Sequence, residues 1–320
     1  MKLGVLTVLY QDLGVEETLD KLAGLGVEAV EFGTGNYPGN AHCDPEELLA
    51  DKAKARALKE AVTSRGMVIS ALSCHGNPLH PNEETARSAH EVWRNTARLA
   101  SELGVRVVNG FSGCPGDHPG AKYPNWVTCA WPPDFLEVLD WQWNERAIPY
   151  WTEEAAFARE QGVVFAFEMH PGFVVYNPET LLRLRAAAGE ELGANFDPSH
   201  LFWQGIDPVQ AIKELGEAIF HVHAKDTAID AANTAVNGVL DTKGYDKLLE
   251  RSWLFRTVGF GHGAKTWRDI VSVLRAAGYD HVMSIEHEDA LASIDEGLAK
   301  AVRLLQEVLL SEKPADMWWA

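Results

Sequence analysis

Four short apolar stretches of the sequence each lead into a side chain that could bind a metal ion. They are Val163–Phe167 before Glu168, Gly193–Phe196 before Asp197, Ile219–Val222 before His223, and His281–Ile285 before Glu286. An apolar run of this length is typical of a strand that is buried on both faces, and such a strand ends where polar residues appear. If these strands lie in one parallel sheet, their carboxyl ends bring the four side chains to one place.

This donor set predicts a site for one divalent metal ion. Three carboxylates, Glu168, Asp197 and Glu286, and the imidazole of His223 form a hard, mostly oxygen site. We therefore expect Mn²⁺ first, with Mg²⁺, Co²⁺ and Zn²⁺ as alternatives. Each side chain taken alone is more often a salt-bridged residue at a strand end. Together they favour a metal, because unpaired carboxylates crowded at one rim repel one another and need a cation between them.

Three further histidines are candidate substrate contacts. His200 lies in the turn after the second apolar run, where it could reach a substrate oxygen or the metal, or instead cap the next turn. His170 shares the side-chain parity of Glu168 and could be a ligand, a substrate contact or a partner of a ligand. His75 follows an earlier apolar run and is the weakest of the three candidates.

Charged residues after the third run have plainer interpretations. Lys225 and Asp226 come just after His223, and we expect them to pair with each other. Arg256 lies in a long loop before the glycine-rich Gly259–Gly263, whose backbone could approach a ligand closely. An arginine there could hold a phosphate or a hydroxyl of a substrate, although an exposed loop arginine usually does neither.

A repeated sequence pattern predicts the strands that would position these residues. A helical pattern closes with glycine, and a short apolar run follows, at Gly26, Gly66, Gly104, Gly162, Gly193, Gly216 and Gly278. Glycine just past a helix adopts the left-handed conformation without a side-chain clash. Each of these seven glycines marks a connection from a helix to the next strand. Together with an opening strand, Lys2–Leu9, they predict a closed (βα)8 TIM barrel in a single domain, residues 1–310. An open doubly wound sheet is the alternative, although no G-x-G-x-x-G follows the first strand.

The expected helices begin at capping residues. One is expected to run from Asp44-Pro45 to Arg65, and the others are expected to begin at Asn82, Asn177, Asp207, Thr266 and Ser293. Two connections, Phe111–Tyr150 after strand four and Asp226–Lys265 after strand seven, are too long for plain loops. They lie at the face where barrel active sites are built, and their tryptophans could stack on a sugar or an apolar aglycone, or pack onto the barrel. The tail, residues 311–320, lies outside the repeat, and its Trp318 and Trp319 could pack on a neighbour.

The composition and net charge of the chain argue against a nucleic-acid or membrane partner. The 320 residues are 46% hydrophobic, which is enough for a large core, and their formal net charge of -18 opposes a nucleic-acid partner. The 4 cysteines contain no C-x-x-C pair, so we expect reduced thiols in a cytosolic protein. The apolar start, Met1–Tyr10, is too short for a signal peptide, and no run is long enough to span a bilayer. We expect a cytoplasmic protein without a membrane partner.

The residues described above resemble the sugar phosphate isomerase/epimerase superfamily. These xylose-isomerase-like barrels include the ketose 3-epimerases, the inosose dehydratases and endonuclease IV, and the resemblance covers Leu3 to about Leu310. It implies a metal held by Glu168, Asp197, His223 and Glu286, a substrate contact from His200, and often a homo-oligomer. The trinuclear zinc site of the endonuclease branch looks incomplete, because no Asp-x-His follows His223 and strand four ends in Val108-Asn109-Gly110.

The resemblance and the residues together give ranked expectations for function. The first is a metal-dependent isomerase or epimerase that acts on a ketose or keto-sugar through an enediolate, with Glu168 and Glu286 as the acid/base pair. The alternative is a metal-dependent lyase or dehydratase acting on an inosose or a 3-keto-glycoside, since the first chemical step is shared. A non-catalytic sugar- or metal-binding barrel and a DNA-repair endonuclease are less favoured. The substrate itself is not given by the fold.

Overall fold

The computed structural model describes residues 1–317 and 319 of the chain. In chain order the strands are β1 (Lys2–Leu6), β2 (Ala29–Gly33), β3 (Val68–Ser73), β4 (Val107–Gly110), β5 (Val164–Glu168), β6 (Leu192–Phe196), β7 (Ile219–Ala224), β8 (Asp226–Ile229), β9 (Trp253–Arg256) and β10 (Val282–Ile285). The strands β1 to β7 and β10 close a parallel barrel in the order β1-β10-β7-β6-β5-β4-β3-β2. The single-domain (βα)8 TIM barrel expected from the sequence is confirmed.

Helices follow the barrel strands and form the outer layer. They are α1 (Val15–Gly24), α2 (Pro45–Ala50), α3 (Lys52–Thr63), α4 (Glu83–Leu103), α5 (Asp134–Trp141), α6 (Ile148–Gln161), α7 (Pro178–Ala188), α8 (Pro198–Phe202), α9 (Pro208–Leu215), α10 (Ala231–Asn237), α11 (Ala264–Ala276) and α12 (Ile294–Val308). A π-helical stretch, Gln142–Ala147, joins α5 to α6, and short 3-10 turns lie at Thr7–Tyr10 and Gly216–Ala218. None of the described helices is both long and apolar enough to cross a membrane.

Two expected helix boundaries are wrong. The helix expected to run unbroken to Arg65 is divided at Asp51, whose backbone is extended and whose carboxylate accepts hydrogen bonds from the first N–H groups of α3. A local cap therefore competes successfully with a continuous helix. The helix expected to begin at Thr266 begins at Ala264, after an extended Gly263.

The two long connections contain regular structure. The first was expected to be a loop up to Tyr150, but α5 already begins at Asp134, directly after Pro132 and Pro133. The second contains α10 and the antiparallel pair of β8 and β9, in which Asp226 lies opposite Arg256. Each insertion is therefore a built wall at the carboxyl end of the barrel rather than a free loop.

The barrel strands alternate between the helical layer and the barrel interior. Phe165 and Phe167 of β5 point outward, where both pack against Trp93 and Trp151 of the helices. Ala166 has the opposite parity and packs inside the barrel with small residues of β3 and β4. The same parity places Glu168, at the end of β5, in the barrel mouth.

Candidate metal centre

The four residues at the strand ends meet at the barrel mouth. Glu168 ends β5, Asp197 caps α8 just after β6, His223 lies near the end of β7, and Glu286 follows β10. One ligand atom from each lies within 4.8 Å of the others. The Nδ1 atom of His223 is 3.1 Å from Oε2 of Glu168 and 3.1 Å from Oε2 of Glu286. The structure thus brings together the four strand-end residues that the sequence suggested as ligands, while His170 and His200, the other possible ligands, form a second group with Glu168.

The donor set fits a divalent cation. Glu168, Asp197 and His223 are buried, and Glu286 is 17% exposed toward the cavity side. Oδ1 of Asp197 accepts a hydrogen bond from the backbone of Ser199 at 2.8 Å, whereas its Oδ2 is buried, accepts no hydrogen bond and has the ammonium of Lys225 at 3.2 Å. Buried carboxylates crowded in one place repel one another and need a cation among them. Hard oxygen donors with one imidazole suit Mn²⁺ or Mg²⁺.

A buried lysine that the sequence analysis misjudged lies among these carboxylates. Lys225 was expected to pair with Asp226, but its Nζ lies 2.7 Å from Glu286, 3.2 Å from Asp197 and 3.4 Å from Glu288. Successive side chains of an extended segment point to opposite sides, so neighbours in sequence cannot both face the cavity. The pairing expected from sequence is therefore wrong, and Lys225 is an additional member of the site.

Asp226 faces away from the cavity and secures the second insertion. Its Oδ2 accepts hydrogen bonds from the backbone N–H groups of Gly259, Gly261 and His262 at 2.9 to 3.0 Å. Its Oδ1 lies 2.9 Å from Nδ1 of His262. A Cβ at Gly261 would lie 2.2 Å from the carbonyl oxygen of Thr227, so only glycine permits this approach.

The charged neighbours set the protonation of the carboxylates. Burial disfavours the charged form of Glu168, but Lys225 and the hydrogen bond from His200 outweigh it and hold the pKa of Glu168 well below its usual range. For Asp197 burial prevails over the attraction of Lys225 and raises the pKa to about 7. The two carboxylates therefore differ strongly in basicity within one site.

The three histidines predicted as substrate contacts surround Glu168. Nε2 of His200 donates to Oε1 of Glu168 at 2.8 Å, and Nε2 of His75 lies 3.2 Å from Oε2. The ring of His170 lies 4.1 Å, centroid to centroid, from that of His200. Burial lowers the pKa of His170 to about 3, and burial also lowers the pKa of His200, so both rings are neutral at pH 7.

A buried carboxylate below the site was missed by the sequence analysis. Glu31 of β2 is fully buried, and its Oε1 and Oε2 lie 2.9 and 3.1 Å from Nε2 of His223. Oε1 also accepts hydrogen bonds from Nδ2 of Asn109, at 2.8 Å, and from Oγ of Ser73. Burial would lower the pKa of His223, but Glu31 and Glu286 outweigh it and hold that pKa well above its usual range.

Comparisons with known proteins show the family of this chain. The chain matches the xylose isomerase-like TIM barrel model over residues 19–308. It belongs to the xylose isomerase-like TIM barrels. The uncharacterized protein YfiH of Bacillus subtilis (strain 168) is 39% identical over 312 residues, which cover 97% of this chain and 99% of that protein.

A more distant relative and a solved structure are also similar to this xylose isomerase-like barrel. The inosose dehydratase of Geobacillus thermodenitrificans (strain NG80-2) is 26% identical over 262 residues, covering 79% of this chain and 80% of that protein. A crystal structure of a D-tagatose 3-epimerase-like protein has a TM-score of 0.63 and 21% sequence identity, and the match covers 96% of this chain and 98% of that one. The structural likeness shows the shared fold.

A cavity of about 590 Å³ opens beside the candidate metal centre. Glu168 and Glu286, two of the four candidate ligands, form its polar floor with His170 and Lys225. Glu288 and Asp289 add two further carboxylates, and aromatic and aliphatic side chains, several of them from the two insertions, line the rest. Arg256, predicted from sequence as a substrate contact, does not line the cavity in the described part of the chain. Its Nε is 3.1 Å from both carboxylate oxygens of Asp289, so the guanidinium of Arg256 is engaged in an ion pair.

Proposed function

We propose that this protein is a divalent-metal-dependent isomerase or epimerase that acts on a ketose or keto-sugar through an enediolate. The observation that carries the proposal is the placement of two carboxylates, Glu168 and Glu286, each 3.1 Å from Nδ1 of His223. They come from β5 and the end of β10, which the barrel separates by β6 and β7. Two carboxylates that reach one centre from different strands suit removal of a carbon-bound proton and its return.

The residues that would hold the cation are Glu168, Asp197, His223 and Glu286. A bound divalent cation supplies a Lewis acid that stabilises negative charge on adjacent substrate oxygens. Glu168, kept ionised by Lys225 and His200, is ready to accept a proton from carbon. Glu286, whose pKa Lys225 lowers to about 2 against the effect of burial, is also ionised at neutral pH.

A lyase or dehydratase acting on an inosose or a 3-keto-glycoside is the second candidate. A neutral His200 that donates to Glu168, with His170 beside it, supplies the extra proton donor that loss of a hydroxyl or an aglycone requires. The inosose dehydratase among the relatives supports this alternative. The first step, proton removal next to a carbonyl, is common to both reactions.

Incubation of the manganese-loaded protein with a panel of keto-sugars in D₂O tests the proposal. Inverted product with deuterium on the carbon next to the carbonyl supports an epimerase, whereas loss of water or an aglycone supports the lyase. Glu168→Gln and Glu286→Gln should each abolish the exchange while Glu179→Gln, on a surface helix, should not. Full exchange in both site variants would show that the two-carboxylate mechanism is wrong.

A further inference from the structure

The charges that line the cavity disfavour an anionic substrate. Lys225 is the only lysine or arginine among the described residues that line it, and its ammonium already contacts Asp197, Glu286 and Glu288. A phosphate or carboxylate on the substrate would face these carboxylates without a free lysine or arginine to pair with, because a metal ion held at the floor would be engaged by the carbonyl and hydroxyl of the substrate. The cavity therefore suits an uncharged substrate.

Apolar surface reaches the cavity from two separate parts of the chain. Phe111 and Phe173, which follow β4 and β5, stack with ring centroids 4.2 Å apart and planes 19° apart. Phe255 and Tyr245, from the second insertion, stack at 5.9 Å and 22°. Leu248 of the same insertion also lines the cavity.

These two surfaces exceed what a free monosaccharide can use. A hydroxyl placed against such a surface would lose its hydrogen bonds to water without gaining a partner from the protein. The C–H face of a sugar ring can cover one aromatic surface. The other surface then remains for a second apolar group on the same molecule, and a cavity of about 590 Å³ has the size of pockets that enclose such ligands.

We propose that the cavity binds an uncharged keto-sugar that carries an apolar substituent of about the size of one ring, such as the phenyl glycoside of a keto-sugar. This inference rests on the proposed function, because two of the candidate metal ligands, Glu168 and Glu286, lie in the floor of the same cavity. The sugar's carbonyl and neighbouring hydroxyl face the floor, and the substituent lies against the aromatic and aliphatic walls.

Calorimetric titration of the manganese-loaded protein with matched glycosides tests the inference. The phenyl glycoside of 3-keto-D-glucose should bind about tenfold or more tightly than the methyl glycoside, because a hydrophobic wall discriminates by this order for added apolar groups. Leu248→Ala should reduce that preference. Leu249→Ala, at the adjacent position where the side chain is 92% exposed, should leave it unchanged. Equal binding of the two glycosides would overturn the inference.

A second pair of probes tests the charge. D-fructose 6-phosphate should bind less tightly than D-fructose, and tighter binding of the phosphate would overturn the inference. The proposed reaction has its own readout in deuterium uptake next to the carbonyl. Uptake without any preference for the phenyl glycoside would remove the substrate inference alone, and a phenyl preference without uptake or elimination would remove the proposed reaction alone.

Discussion

Nε2 of His223 lies 2.9 Å from Oε1 and 3.1 Å from Oε2 of Glu31, while Nδ1 of the same ring faces Glu168 and Glu286. Because the ionised Glu31 can only accept, Nε2 keeps the proton shared with it, and Nδ1 is the nitrogen that would give up its proton and present a lone pair to a cation. A carboxylate behind a ligating imidazole fixes the tautomer and the orientation of the ring and raises its basicity.

Replacement of Glu31 by glutamine should weaken metal binding by about 10- to 100-fold, the range typical of such partners. The amide oxygen of glutamine can still accept the hydrogen bond from Nε2 of His223. The substitution removes the negative charge that raises the basicity of the His223 ring. Manganese affinity by calorimetry and the electron paramagnetic resonance spectrum of the bound ion provide the measurement. Glu17→Gln, exposed on α1, is the control, and unchanged affinity and spectrum in Glu31→Gln would contradict a role for Glu31 in orienting His223.

Replacement of Lys225 by methionine should destabilise the metal-free protein and enlarge the stabilisation that manganese provides. Lys225 is 2% exposed, and removal of one partner from a buried ion pair costs about 3 to 5 kcal/mol because charges remain uncompensated. Thermal unfolding with EDTA and with excess manganese measures both effects. Lys265→Met, whose side chain is 86% exposed in the wild type, should change neither. A metal-induced shift equal to that of the wild type would show that Lys225 does not compete with the cation.

His221 should make the metal-free protein less stable as the pH falls below neutrality. Burial lowers its pKa to about 3, against the attraction of Glu31, so the folded ring stays neutral while the unfolded ring binds a proton below about pH 6.5. Stability contributed by the neutral ring is thus complete above pH 6.5 and is lost as the pH falls from 6.5 toward 3.

His221→Asn removes this contribution. Between pH 7.5 and 5, the variant should lose about 2 kcal/mol less stability than the wild type. Denaturant unfolding of both proteins in EDTA at the two pH values measures the difference. Identical pH slopes would mean that the His221 ring is already protonated in the folded state.

Replacement of Gly110 by alanine should destabilise the barrel next to the site. A Cβ at this end of β4 would lie 1.7 Å from the ring of Trp93, which is fully buried. Overpacking of this kind typically costs about 1 to 3 kcal/mol. Gly24→Ala, in a helix where a Cβ meets nothing within 4 Å, is the matched control. Equal unfolding midpoints for Gly110→Ala and the wild type would show that Trp93 can move aside.

The four candidate ligands were predictable because their evidence is local and repeated. Each follows a short apolar run with a glycine near its start, so the barrel geometry alone brings Glu168 and Glu286 together. The prediction that Gly193 closes a helix was wrong, because α7 ends at Ala188 and Gly193 lies inside β6. Glu31 gave no such signal. It lies in the middle of an apolar strand, and its partner His223 is 192 residues away in sequence. A lone carboxylate inside an apolar run indicates a buried partner, but it does not identify that partner.

The mispredicted helices are those whose sequence near the helix start favours two different local structures. Asp51 lies in a helical pattern but adopts an extended conformation because its side chain caps the helix that follows. The connection Phe111–Tyr150 was expected to be a loop, but α5 begins directly after Pro132 and Pro133, since proline directly before a helix is compatible with its first turn. Side-chain hydrogen bonding decided the start of α3, whereas α5 begins at Asp134 without a side-chain cap, and the residue pattern alone ranks neither outcome.

Lys225 and Asp226 connect the cavity to the insertion that encloses it. Lys225 contributes positive charge to the floor, and Asp226 accepts hydrogen bonds from three backbone N–H groups of residues 259–262. The insertion is therefore not an independent module that could be exchanged between barrels. An insertion transplanted from another barrel to change substrate choice would need backbone N–H groups placed to donate to Asp226. Without them, the transplanted insertion would not be held in a fixed position over Lys225.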